Sequence, residues 1–133
     1  MIKLDRTTLA WARGVADVPV GLYVFPSEED CMALVPSPVH EQLSAYRAGG
    51  GTFAYTFELH LRVRPEDGEA RMAAAESLQA VVEAVQDRDF PEAPDGLAWV
   101  RADVTQAPSL YQAYDDGREV YRLVARLTYI ERS

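Results

Sequence analysis

The chain has 133 residues, 48% of them hydrophobic and 26% charged, which suits one folded domain with its own core rather than a disordered chain. Its net charge of -8 argues against ordinary affinity for nucleic-acid phosphates or anionic lipid. A lone cysteine, Cys31, excludes an internal disulfide and the Cys₄ and Cys₂His₂ zinc patterns, and it suits a reducing compartment.

The opening MIKLDRTT turns polar too early for the apolar core of a signal peptide. Asp5 is placed to cap a short helix over 6–16, in which Leu9, Ala12, Val15 and Ala16 recur at helical spacing beside Trp11. Val18–Phe25 reads as a first strand; it is the longest mainly apolar run and far short of a membrane span. Pro26–Asp30 is a turn with an acidic tip, and Cys31–Val35 a short second strand that would form a hairpin with the first. Pro36 and Pro38 then stop regular structure. Residues 37–51 read as a mobile loop, with a turn of helix over Val39–Tyr46 and a hinge at Gly49, Gly50 and Gly51.

Thr52–Arg64 is the stretch around which the other elements are organised. Phe53, Tyr55, Phe57, Leu59, Leu61 and Val63 alternate with Ala54, Thr56, Glu58, His60, Arg62 and Arg64. Successive strand residues point to opposite faces, so this is a long strand with one dry and one wet face. Glu69–Asp87 supplies the cover: Ala70, Ala74, Leu78, Val81, Val82 and Val85 form one apolar stripe on a helix. After a loop over Asp89–Gly96, Leu97–Thr105 is a strand, Ala107–Ser109 breaks it, and Tyr111–Tyr114 is extended or irregular. Asp115-Asp116-Gly117 is a hairpin turn. Glu119–Glu131 is the last strand, with Tyr121, Leu123, Ala125, Leu127 and Tyr129 on one face. Its other face mixes Arg122, Arg126 and Thr128 with Val120, Val124 and Ile130, half apolar and suited to burial by a partner subunit. The order of elements predicts an α+β fold: a mainly antiparallel β-sheet with helices packed on one face, in a single domain over 1–133.

Residue chemistry offers little for catalysis. The triple glycine precedes a strand and lacks the Lys-Ser or Lys-Thr of a phosphate loop. Ser37, His40 and Glu41 are sequence neighbours, which rarely aims a base at a nucleophile. His60 between Glu58 and Arg62 reads as a cross-strand polar cluster before it reads as a general base. Glu28, Glu29 and Asp30, like Asp115 and Asp116, lie on turns without calcium-loop spacing. Cys31 reads as a buried structural thiol. No catalytic residue, cofactor or metal is assigned, and the chain is read as no enzyme. The abundant tyrosines suit strands and interfaces alike.

Several stretches together resemble the tail-terminator-like family of minor capsid and tail-completion proteins of tailed bacteriophages. They are Gly21-Leu22-Tyr23-Val24-Phe25-Pro26, the Tyr-x-x-Gly-Gly element Tyr46–Gly50 leading into Phe53–Arg64, and the helix with Arg71 and Ala75-Glu76-Ser77-Leu78. Pro91–Pro94, Gly117-Arg118-Glu119-Val120-Tyr121 and Leu127-Thr128-Tyr129 follow in order. The resemblance runs from about Gly21 onward. It implies a structural virion protein at the head–tail junction, assembled in the host cytoplasm: a subunit of a hexameric ring that caps the tail tube and joins it to the neck. Its implied partners are further copies of itself, the tail tube protein and neck or head-completion proteins. DNA would pass through without specific binding, and no membrane is involved. Tyr46, Arg47, Tyr111, Tyr114, Arg122 and Arg126 are the interface candidates, from the long loop, the strand edges and the half-apolar last strand. Two other classes stay open: a small α+β ligand-binding or enzymatic domain with a pocket between sheet and helix, and a regulatory or toxin–antitoxin partner domain.

Overall fold

A computed structural model describes residues 4–47, 49–87 and 89–132. Met1–Lys3, where the opening stretch begins, and Ala48, inside the 37–51 loop, lie outside that description, as do Arg88 and Ser133. The elements are α1 (Leu4–Val15), β1 (Val20–Leu22), β2 (Cys31–Pro36), β3 (Glu41–Ala45), β4 (Gly51–Val63), α2 (Gly68–Gln86), β5 (Leu97–Ala113) and β6 (Glu119–Glu131). The strands form one six-stranded sheet in the order β1-β2-β4-β6-β5, with β3 on β4 beside β2. All pairings but β1–β2 are antiparallel, so the fold is the expected α+β sheet with its helices on one face.

β4 is the centre. It pairs with β6 along its full length, from Gly51 opposite Glu131 to Val63 opposite Glu119. This register puts Tyr55, Phe57, Leu59 and Leu61 beside Leu127, Ala125, Leu123 and Tyr121 on one face, all of them buried. α2 lays Ala74, Leu78, Val81, Val82 and Val85 on that face, the stripe expected from the sequence except for Ala70, which is only half-buried. Asp67 caps α2 by accepting from the Ala70 amide at 2.9 Å. α1 adds Leu4, Trp11 and Ala12 to the same core.

Four local expectations are corrected. Asp5 sits in the first turn of α1 rather than capping it, and its carboxylate instead accepts from the Tyr55 hydroxyl at 3.0 Å. β1 and β2 are parallel, not a hairpin: the chain reverses at Tyr23, which adopts a left-handed φ of 67° and whose amide bonds Leu34 O at 2.8 Å. The 24–30 loop then returns to the starting end, so β2 runs the way β1 did.

The segment read as a mobile loop with a turn of helix forms β3. β2 covers only Phe57–Arg62 of the outer side of β4, which leaves Gly51–Ala54 with free ladder groups, and β3 pairs there. At Gly51 a Cβ would collide with the carbonyl oxygen of Ser44, so only glycine admits the close approach of β3.

Finally, Ala107–Ser109 does not break β5. The 17 residues of β5 pair with the 13 of β6 because the surplus is taken up in repeated register shifts, one of them spanning Pro108. β5 is an outermost strand, where a proline without an amide hydrogen is tolerated.

Candidate interaction surface

Among the described residues no helix covers the second face of the sheet. Its centre comprises the cross-strand pairs Ala54/Thr128, Thr56/Arg126, Glu58/Val124, His60/Arg122 and Arg62/Val120. β2 adds Ala33 and Val35 beside His60 and Glu58, and β5 adds Asp103, Gln106 and Ser109 opposite Arg126, Val124 and Arg122.

The side chains on this face hold one another. Glu58 Oε1 lies 2.9 Å from His60 Nε2 and 3.4 Å from Arg122 Nη1. Arg122 Nη2 donates to Gln106 Oε1 at 3.2 Å, and its guanidinium lies 4.2 Å from the ring centroid of Tyr111. That ring also sits 5.2 Å from His60. Arg126 reaches Glu41 at 3.5 Å, and Arg101 pairs with Asp103 at 3.1 Å. Arg62 turns to the 24–30 loop, where it donates to Ser27 O and lies over the Phe25 ring at 4.5 Å. Cys31, buried and donating to the same carbonyl at 3.5 Å, is the structural thiol expected. The Nε groups of Arg122 and Arg126 and the Thr128 hydroxyl are buried without a hydrogen-bond partner. The surface is therefore only partly satisfied within one chain.

The interface candidates are divided by the fold. Tyr111, Arg122 and Arg126 share the open face. Tyr46 and Arg47 lie in the β3–β4 turn at one end of the sheet, with the Tyr46 hydroxyl 3.0 Å from Thr52 Oγ1. Tyr114 lies in the β5–β6 turn at the other end, where Arg118 sits over its ring at 5.7 Å. That turn carries the expected glycine with positive φ, Gly117, and a Tyr114 amide bonded to Arg118 O at 2.8 Å. The Arg118 amide bonds the Asp116 carboxylate and holds its pKa below the usual value. Glu41 and Gln106 were not readable as members of the face, because their positions depend on β3 and on the β5 bulges.

The pattern of polar groups elsewhere is structural. Ser37, His40 and Glu41 diverge: the Ser37 hydroxyl donates to Val39 O at 3.2 Å, His40 faces the core, and Glu41 faces Arg126. His40 Nδ1 lies 2.6 Å from the Tyr129 hydroxyl, with its ring edge-on to both Tyr55 and Tyr129. Burial lowers the His40 pKa and pushes that of Tyr129 up to about 12 and that of Tyr55 higher still. A cleft of about 630 Å³ lies between α1 and the 92–95 loop, away from these groups. Among the described residues no group of three or more His, Cys, Asp or Glu could hold a metal, and no helix is long and apolar enough to cross a membrane.

No family model matches the chain, and no curated protein matches it either.

Proposed function

We propose that this chain is a non-enzymatic structural subunit of a phage or prophage virion: a tail terminator that joins its copies in a hexameric ring, caps the tail tube and connects it to the neck. The observation that carries this reading is the uncovered sheet face. One face of the sheet is sealed by α1 and α2; the other presents Val124 and Ile130 among Arg62, Arg122 and Arg126, with buried donors left unpaired. Apolar side chains set among arginine and tyrosine have the composition of a protein contact surface. The reading is further supported by the filled space between sheet and helices. Tyr55, Phe57, Leu59 and Leu123 are each fully buried there and pack against the helices.

Such a subunit works by contact alone. Its sheet sets the geometry, its open face and end turns meet neighbours, and its acidic exterior does not hold passing DNA. The test is assembly on polymerised tail tubes from the same genome. The isolated protein is expected to be a monomer or weak oligomer by light scattering, and to form rings on tube ends in electron micrographs. A tight dimer that persists at nanomolar concentration, or tubes that stay uncapped, would overturn the proposal.

A further inference from the structure

The two surfaces of the subunit differ in charge. The open sheet face carries Arg101, Arg122 and Arg126 against Glu41, Glu58 and Asp103, a balance of 3 − 3 = 0 with Arg62 turned to the 24–30 loop, in a chain whose net charge is -8. The outward side of α2 is acidic. Glu69, Glu76 and Glu83 are exposed at seven-residue intervals and so form one stripe along the helix. The single cation of α2, Arg71, turns back to Glu119 at 3.1 Å, which lowers the Glu119 pKa and leaves the stripe uncompensated. Beside the glutamates lie Ala73 and Ala80, both exposed and small enough for close approach, and Met72, which is 61% exposed.

We infer that the open sheet face of one copy receives the outward face of α2 of the next, front to back. Glutamates seven residues apart on a helix are separated by about 10.5 Å. Arg122 and Arg126, four residues apart on a strand, are separated by about 13 Å. The spacings differ by only about 2.5 Å, which long arginine and glutamate side chains can bridge. Met72 and the two alanines would meet Val124 and Ile130. Two alternatives are disfavoured by the same residues. Face-to-face pairing about a two-fold axis near Val124 would set the arginines of one copy close to those of the other. Strand addition at β5 is hindered by its bulges and Pro108, which interrupt the unpaired ladder.

A front-to-back contact uses two different surfaces, so it propagates and closes into a ring when the rotation permits. The inference rests on the ring reading for its biological setting, but the contact itself can be tested on purified protein. A 19-residue helix offers a strip about 28 Å long, a narrow contact expected to hold weakly until a ring closes.

The experiment uses concentrated protein in a Cys31→Ala background, with Val124→Cys in one preparation, Gln79→Cys in a second, and a short bis-maleimide cross-linker. Mixing the two should give dimers at least tenfold above either alone, and a chain carrying both cysteines should give a ladder of multimers. Arg126→Glu on the first should reduce the yield at least tenfold, and Glu76→Arg on the second should restore it. Equal dimer yield from Val124→Cys alone would mean face-to-face pairing and overturn the inference, as would failure of the charge exchange to restore cross-linking. Rings on tube ends without this cross-link would overturn the inference alone. Cross-linking without any capping of tubes would sustain the contact and overturn the virion reading.

Discussion

The two faces of the β4–β6 ladder are built from the same strands in the same register, yet they solve opposite problems. On the helix side every large side chain from Tyr55 to Leu61 is closed in by α1 and α2; Tyr55 pairs with Asp5 and His40 with Tyr129, and the Thr8 hydroxyl is the buried polar group there without a hydrogen-bond partner among the described residues. On the open side Thr56, Glu58, His60, Arg122 and Arg126 are half-exposed while Ala54, Val120 and Thr128 are buried, and the polar groups pair laterally: Glu58 with His60 on its own strand and with Arg122 on the next, Arg126 with Glu41. The difference teaches where stability lives and where contact is available. A face filled by apolar packing is finished within one chain. A face filled by long cationic side chains over small apolar ones keeps its charges near water and can exchange lateral partners for those of a neighbour at modest cost.

Mutations on adjacent residues sharpen the contrast. Leu59→Asp puts an unpaired charge into a fully buried site and should lower unfolding free energy by about 3–5 kcal/mol. Tyr55→Phe removes one buried hydroxyl and leaves Asp5 without its donor, for a loss of about 1–2 kcal/mol. Glu58→Ala, next in sequence to Leu59 but on the open face, should cost only about 0.5–1 kcal/mol, because its partners stay partly hydrated. Urea denaturation of the three variants checks the order; equal losses at positions 58 and 59 would show that the two faces are not distinct.

The smallest effect is a pH dependence confined to the covered side. Burial lowers the His40 pKa below its ordinary value, against the opposing charges of Asp5 and Glu131; Tyr55 and Tyr129 stay neutral across this range. Below the ordinary histidine range the unfolded chain takes up a proton that the folded chain resists. The stabilisation is therefore whole above about pH 6.5 and declines as pH falls toward the folded pKa. Wild type should lose more stability than His40→Phe between pH 7 and 5.5, and parallel urea midpoints for the two would contradict the assignment.

Most of the covered face was legible in the sequence, because period-two alternation in 52–64 and 119–131 and the 3.6-period stripe of α2 report burial directly. Of the expected cluster of Glu58, His60 and Arg62, the first two were legible because residues two apart on a strand share a face, while Arg62 turns instead to Ser27 in the 24–30 loop. What was hidden depended on tertiary competition. β3 exists because β2 is too short to satisfy the whole outer side of β4, and nothing within Glu41–Ala45 announces that vacancy. β5 continues past Pro108 because β6 offers an unbroken partner and an edge strand tolerates bulges. The parallel course of β1 and β2 turns on one left-handed residue, Tyr23, which is not a residue type that advertises positive φ. Glu41 and Gln106 joined the open face only through these unannounced elements.

The central claim is that the open sheet face becomes covered when the protein assembles. It is tested most directly by the rate of maleimide labelling at Val124→Cys, in a Cys31→Ala background, before and after the subunit is bound to tail tubes. At least tenfold slower labelling in the assembled state is predicted, with an unchanged rate for a cysteine placed at the exposed Glu92. An equal rate at position 124 in the free and assembled protein would contradict it.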